Sequence, residues 1–274
     1  MLMARFFSIL VGTFFVLIFL PVLDAQGVRK GFGAGLDLNE SAAAERWSAF
    51  VSAAVASDYC MEFALEHRPR RDESVFYNGV MWGAGRGGAT FTRISVWAAA
   101  NPSERGDFIL KNSRGGSEVY KFDGGKFVKV EETDWLKPLC AGLIYSPFDL
   151  LMPYKFWEAK YVGAGRIGQA VHLFDLTSQK FPNSVVRVAL TRDFNAPSQI
   201  KTMGAIGAKT AELGAVRKVG DVWIMREASV RDDTTKDKDV LRFTKAKFGL
   251  RLSNGVFSPD SSRELSVPAD LQRL

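Results

Sequence analysis

The stretch Val216–Phe257, VRKVGDVWIMREASVRDDTTKDKDVLRFTKAKFGLRLSNGVF, decides the fold. The β-forming residues Val, Trp and Ile dominate Asp221–Val230, although its polarity does not alternate perfectly. Asp232–Asp239 (DDTTKDKD) is polar and charged, as is typical of a hairpin turn. Val240–Leu250 then alternates between two faces. The stretch predicts two long antiparallel strands joined by a solvated turn, followed by a short terminal strand.

The same period of two recurs along most of the chain. A half-buried strand is predicted from Tyr59 through Glu66, ending at Pro69, and a hairpin over Ser74–Trp82 and Ala89–Ala98 around a Gly-rich turn. Further predicted strands are Asp107–Lys111, Glu118–Phe122, Lys126–Glu131, Lys160–Val162, Gln169–Leu176, Val185–Thr191, Gln199–Gly204 and Ala208–Val216. Because the connections are short, we expect a mainly β (α+β) fold: an incomplete antiparallel β-barrel of about a dozen strands covered by a few helices.

Two helices are predicted. Asn39 or Ser41 is positioned to cap a helix that runs through Asp58. Its apolar face would comprise Trp47, Phe50, Val51, Ala54 and Val55.

A second, short helix should begin after Ser146, with Pro147 at its first position, in an apolar segment that continues to Trp157. We expect this segment to pack on the core, or to move as a cover over an apolar cavity.

The N-terminus predicts export. Arg5 precedes the apolar run Phe6–Leu20, which breaks at Pro21, and a small-residue exit follows at Ala25. We therefore predict a signal peptide over 1–25, a flexible lead-in over 26–40, a single domain over 41–274, and a periplasmic location. The alternative is an uncleaved membrane anchor, because Phe6–Leu23 approaches the length of a membrane span.

Charge and cysteine content leave several possibilities open. The 274 residues carry a net charge of +6, with basic and acidic side chains interspersed, so nucleic-acid binding is weakly supported. A surface that faces anionic lipid headgroups is equally compatible with this charge. Cys60 and Cys140 could form a disulfide in an oxidising compartment, or could be two isolated buried thiols.

No motif predicts an enzyme or a cofactor. The patterns Gly83-x-Gly85-x-x-Gly88 and Gly163-x-Gly165-x-x-Gly168 precede strand-like rather than helical sequence, so they predict hairpin turns instead of a phosphate site. The two histidines, His67 and His172, have no cysteine or carboxylate at metal-ligand spacing. The sequence also lacks a G-x-S-x-G nucleophile motif.

Taken together, these features resemble the outer-membrane lipoprotein-sorting proteins, relatives of the LolA/LolB periplasmic carriers. The similar features are the signal peptide, the first helix with the Tyr59-x-Met61-x-Phe63 strand, the Ser146–Pro153 segment, and the run from Val185 onward. The resemblance implies a non-enzymatic carrier that binds acyl chains of lipoproteins or lipids in an apolar cavity and transports them towards the outer membrane. It also implies transfer partners at the inner and outer membranes.

The expected cavity lining combines the aromatic strand positions, the short apolar helix and the closing hairpin. The residues are Phe63, Phe91, Arg93, Phe148, Leu151, Met152, Trp157, Trp223, Ile224 and Phe243. Arg93 is included because carriers of this type use an arginine on an early strand to hold the closed state. The alternative function is an exported β-rich binding or sensor module, of the envelope-stress regulator type, that acts through a protein partner. A hydrolase without a recognisable motif is a third possibility, and would need a Ser or Asp beside His172.

Overall fold

The computed structural model describes residues 37–53, 57–214, 216–219 and 222–274. The predicted signal peptide, the alternative anchor and most of the predicted lead-in lie outside this part of the chain. The described residues form sixteen strands, two α-helices and three short 3₁₀ helices. The strands are β1 Asp58–Arg68, β2 Val75–Arg86, β3 Ala89–Ala98, β4 Arg105–Ser113, β5 Gly116–Asp123, β6 Lys126–Lys129, β7 Glu158–Ile167, β8 Gln169–Thr177, β9 Ser184–Thr191, β10 Pro197–Gly204, β11 Lys209–Leu213, β12 Val216–Val219, β13 Val222–Met225, β14 Glu227–Asp232, β15 Lys238–Leu250 and β16 Gln272–Arg273.

Fourteen strands form one open antiparallel sheet with the order β6-β5-β4-β3-β2-β1-β15-β14-β11-β10-β9-β8-β7, while β16 pairs with β15 off this path. Two wings, β1–β6 and β7–β11, therefore flank the central strands. The prediction of an incomplete antiparallel barrel is confirmed, because the sheet is large, mainly antiparallel and not closed.

The hairpin that decides the fold is formed by β14 and β15, which pair from Glu227↔Arg242 to Arg231↔Lys238. In its turn, Asp232 accepts hydrogen bonds from the backbone N–H groups of Thr234 and Thr235. The predicted first arm is instead divided: β13 pairs with β12 in a separate two-stranded sheet, and only β14 joins the main sheet.

The prediction of a terminal strand near Phe257 is wrong. Asn254–Phe257 is a 3₁₀ helix, and the terminal strand is β16. The physical reason is that β1 and β14 already occupy both sides of β15 over much of its length. The chain therefore leaves the sheet and packs Phe257 against its surface, where this side chain is 8% exposed.

The first helix, α1, spans Glu40–Ser52 and is capped as predicted, with the Asn39 side chain accepting from the backbone N–H of Ala42 at 2.8 Å. It ends at Ser52 rather than at Asp58, because Ala53 has an extended backbone and Asp58 already begins β1. Phe50 is buried, and Trp47 packs against the core. The predicted face residues Ala54 and Val55 lie outside the described residues.

The predicted Gly-rich hairpins are present. Gly83 and Gly85 lie within β2, and the β2–β3 turn is made by Gly87 and Gly88, which adopt φ values of 58° and 77°. Gly168 makes the β7–β8 turn with φ 68°. Neither segment opens a helix, as a dinucleotide site requires.

The sheet has two covered faces. The helix-covered face packs against α1, a second helix α2 (Pro147–Leu151) and the 3₁₀ helices Glu132–Leu136 and Pro153–Phe156. The opposite face, on the β1–β6 wing, is covered by residues 250–271, which we call the C-terminal strap. The sheet itself, with side chains alternating between its faces, separates the two apolar clusters.

Candidate ligand groove at the opening of the sheet

Residues 147–156, which we call the plug, contain α2 and the 3₁₀ helix that follows it. The Ser146 backbone N–H and hydroxyl both donate to the Asp149 carboxylate, at 2.9 and 2.7 Å. Met152 adopts a left-handed backbone (φ 51°), which ends α2, and Pro153 starts the next turn. The predicted helix start is therefore correct, and the predicted single helix is two short ones.

The plug lies between the two wings of the sheet and contacts both. On the β4 side, the Asn112 side-chain amide donates to the backbone carbonyls of Leu151 (2.6 Å) and Met152 (3.2 Å). On the β11 side, Lys209 forms an ion pair with Asp149 at 3.0 Å. The plug thus fills the gap of the open sheet, with most of its side chains buried, rather than lying over it from outside.

A buried carboxylate holds the loop that leads into the plug. Asp239 of β15 is 0% exposed. One carboxylate oxygen accepts the backbone N–H groups of Ile144 (2.7 Å) and Tyr145 (2.9 Å), and the other contacts Nδ1 of His67 at 2.7 Å. This hydrogen bond raises the pKa of His67 above its ordinary value, against the opposing effect of burial. The loop that leads into the plug is therefore held by β1 and β15.

A groove of ≈ 910 Å³ opens beside the plug, between α1 and β7. Its apolar walls include Trp47 and Val51 of α1, Trp157 after the plug, and Tyr161 and Phe174 of the outer wing. The rings of Trp47 and Phe174 lie 5.2 Å apart, and those of Tyr161 and Phe174 lie 5.4 Å apart. A continuous aromatic surface therefore forms one side of the groove.

A second groove of ≈ 630 Å³ adjoins the first. The two share Arg114, Phe156, Trp157 and Glu158, and the second continues past Trp135 to Phe181. Phe181 stacks on Trp157 at 5.4 Å. Together the grooves follow the opening between the wings.

The charged side chains of the first groove differ in exposure. Glu40, Arg114, Glu158 and Lys160 are exposed at its rim. Lys155, from the plug, is 7% exposed, and its ammonium lies 5.2 Å from the centre of the Phe50 ring. Burial lowers the pKa of Lys155 to about 8. Sequence reasoning missed this residue, although it is the one charged residue in the run from Leu150 to Trp157.

Most of the expected lining residues lie on the helix-covered face. That set is Phe63, Phe148, Leu151, Met152, Trp157, Ile224 and Phe243. Of these, Trp157 lines the groove, whereas the plug residues and the strand residues Phe63 and Phe243 are buried in the packed interior. Trp223 lies on the small β12–β13 sheet and is 38% exposed. The groove is thus open and of mixed polarity, whereas we expected an apolar cavity.

Phe91 and Arg93 lie on the opposite face. Phe91 packs against Phe257 of the strap, and the Arg93 guanidinium lies over the Phe127 ring at 4.6 Å. Arg93 donates to the backbone carbonyls of Val256 (3.2 Å) and Arg263 (2.8 Å), among other acceptors in the strap. We expected Arg93 to hold a cover closed, and this position does not fit that role. The next residue of the strand, Ile94, faces the helices, whereas Arg93 lies on the opposite face and holds the strap.

The remaining singled-out residues are the two cysteines and His172. Cys60 and Cys140 are buried free thiols in the two different apolar clusters, so the disulfide considered above is not formed. His172 is 2% exposed and contacts the Tyr161 hydroxyl at 3.1 Å. Within the described ranges, no cluster of three His, Cys, Asp or Glu residues could hold a metal ion. No helix in the same ranges is long and apolar enough to cross a membrane.

The architecture and its plugged opening define an open antiparallel half-barrel. Three solved structures share this fold. A domain assigned to an outer membrane lipoprotein-sorting protein from Vibrio parahaemolyticus matches with a TM-score of 0.63 and 14% identity, over 79% of this chain and 94% of that chain. A DUF1329 family protein from Desulfovibrio piger matches with a TM-score of 0.63 and 10% identity, over 80% of this chain and 96% of that chain, and a LolA superfamily protein from Nitrosomonas europaea with a TM-score of 0.60 and 12% identity, over 81% of this chain and 99% of that chain. No protein-family model and no curated protein matches the sequence. The likeness to the lipoprotein-sorting fold is therefore confirmed at the level of structure.

Proposed function

We propose that this chain is a periplasmic, non-enzymatic carrier that binds acyl chains of lipoproteins or lipids and transports them towards the outer membrane. The observation that carries the proposal is the groove with aromatic walls at the opening of a half-barrel of the lipoprotein-sorting type. Its volume of ≈ 910 Å³ lies in the range of pockets that bind small ligands. Trp47, Trp157 and Phe174 supply the apolar contacts that an acyl chain needs.

Burial of an acyl chain contributes ~0.8 kcal/mol per methylene, so a long chain supplies roughly 10 kcal/mol before ordering costs. A carrier must also release its cargo. An open groove suits release, because part of the chain stays near solvent. The plug, whose residue Phe156 lines both grooves, is the element that we expect to shift when the ligand enters.

The first experiment uses the mature chain, residues 26–274, purified without detergent. Native mass spectrometry should detect a bound acyl species, and ligand addition should slow hydrogen exchange in the plug. Ala44→Trp, which places a bulky ring in the groove from an exposed position of α1, should prevent binding. Ala49→Trp is the matched control, because Ala49 is also exposed on α1 and does not line the groove.

Export and transfer partners are tested separately in cells. The full chain should appear in the periplasmic fraction, cleaved near Ala25, and cross-linking should capture membrane proteins of both membranes. A chain that stays uncleaved in the membrane would support the anchor alternative.

The second candidate is a β-rich binding or sensor module that acts through a protein partner. The observation that favours it is the packed interior: the plug and side chains such as Phe63 and Phe243 fill the helix-covered face. If the purified chain carries no lipid, and Ala44→Trp and Ala49→Trp bind added acyl chains equally, this second function is the better explanation.

A further inference from the structure

We propose that the groove takes an anionic amphiphile, whose carboxylate or phosphate pairs with Lys155 while its acyl chain lies along the aromatic wall. This inference rests on the proposed function, because it names the ligand class of the same groove. It assigns a role in recognition to a residue of the plug.

The first argument is the position of the Lys155 ammonium. Lys155 is 7% exposed, and its Nζ lies 5.2 Å from the centre of the Phe50 ring. In the described part of the chain, no carboxylate or hydrogen-bond acceptor pairs with it. The ammonium keeps some contact with the open groove and is held by a cation–π contact, so it can still gain an ion pair. An anion in the groove would supply the missing partner.

The second argument is the arrangement of the groove around this charge. Lys155 lines the groove together with Ala43, Trp47 and Phe174, so the cation and the apolar wall face the same space. A ligand that fills this space must present an acid group and a hydrocarbon chain at once. A neutral acyl chain would cover the ammonium with hydrocarbon and leave it unpaired.

The other charged residues of the groove do not neutralise the charge of Lys155. Glu40 and Glu158 lie at the rim, where they are exposed and remain hydrated. Lys160 and Arg114 are exposed cations of the same groove, and Arg114 also lines the second groove. Burial lowers the pKa of Lys155 to about 8, so the ammonium is charged at neutral pH, and an adjacent anion would keep it charged at higher pH.

The test compares three twelve-carbon probes, dodecanoate, dodecyl phosphate and dodecan-1-ol, below their aggregation concentrations. Binding to the mature chain is followed by tryptophan fluorescence, since Trp47 and Trp157 both line the groove. At least one anion should bind about tenfold or more tightly than the alcohol, as expected for a charge-assisted hydrogen bond. Lys155→Met should remove this preference for the anion and should not weaken binding of the alcohol. Lys126→Met, at an exposed cation of β6 that lines neither groove, should behave as the wild type.

Preference for dodecanoate over dodecyl phosphate indicates a free fatty acid, and the reverse preference indicates a phosphate headgroup. Lys155→Arg keeps the charge and should retain the preference for the anion. It is the control for Lys155→Met, because a folding defect in that variant would also abolish binding of the anion. If the wild type does not distinguish the anions from the alcohol, or Lys155→Met keeps the preference, the inference is wrong while the proposed carrier function stands. If no probe binds the wild type, both proposals fail.

Discussion

Substitution of Asp239 should loosen the entrance to the plug. Its buried carboxylate accepts the backbone N–H groups of Ile144 and Tyr145 and contacts the His67 ring. Asp239→Ala removes all three interactions and leaves two backbone donors without this acceptor. Asp239→Asn keeps one carbonyl oxygen, so its effect should be smaller.

The magnitude follows from these contacts. Each buried donor left unsatisfied costs about 1–3 kcal/mol. The two donors of Ile144 and Tyr145 together therefore account for about 2–6 kcal/mol. We therefore expect Asp239→Ala to lower the free energy of unfolding by about 4 kcal/mol, a large part of the 5–15 kcal/mol typical of a domain. His67→Gln, which keeps both backbone hydrogen bonds, should cost only about 1 kcal/mol.

The same contact predicts a pH dependence. The hydrogen bond to Asp239 raises the folded-state pKa of His67, with a further contribution from Asp237. The protonated imidazole therefore contributes stability that is fully present below the unfolded pKa of about 6.5 and is lost as pH rises through the folded pKa. The His67 contribution should thus be smaller at pH 8.5 than at pH 6, and Asp239→Ala should reduce this difference.

Urea denaturation at the two pH values measures both effects, and hydrogen exchange locates them. Exchange in residues 144–156 should accelerate in Asp239→Asn more than in His67→Gln. Destabilisation of Asp239→Ala by less than 1 kcal/mol, or an unchanged pH difference in that variant, would refute the reasoning.

Three further predictions concern other parts of the molecule. Gly79→Ala should cost about 1–3 kcal/mol in a urea titration, because the new Cβ would overlap the Phe63 ring. Gly115→Ala should be nearly neutral, because its Cβ would make only an ordinary contact with the Ser113 hydroxyl at 3.8 Å. Arg93→Met should release the C-terminal strap, seen as faster limited proteolysis after β15 without loss of the sheet signal in circular dichroism. Dodecanoate affinity should fall as pH rises above about 8, because the Lys155 ammonium is lost, and this decline should be absent in Lys155→Met.

The strands of the sheet were largely predictable, because polarity alternates along a strand with one buried face, and β-forming residues between turn signals mark the others. Val240–Leu250 alternates in sequence, whereas β2 is buried at consecutive positions from Gly79 to Ala84 and was identified with its Gly-rich turn. The division of the first arm into β13 and β14 was not predictable, since both pieces are β-forming and only the sheet pairing separates them.

The candidate site was less predictable, because it depends on which elements meet. Trp157 was identified from its aromatic character, but the groove arises where α1 approaches β7, far apart in the chain. Arg93 was assigned to the wrong face, since strand alternation gives two faces without saying which one the helices cover. Lys155 could have been noticed as the one basic residue of an apolar segment, although its burial depends on Phe50 of α1.

The pairing of β1 with β15 sets the order in which the fold can assemble. β1 begins at Asp58, and its partner strand ends at Leu250, so this pair joins the two ends of the domain. Most other pairs in the wings connect neighbouring strands and close short loops. The wings can therefore form early as local hairpins, whereas the central pair must wait until β15 is available and should limit the folding rate. A ribosome-bound chain that lacks β15 would expose the unpaired edge of β1, which makes this edge the site most vulnerable to misassembly during synthesis.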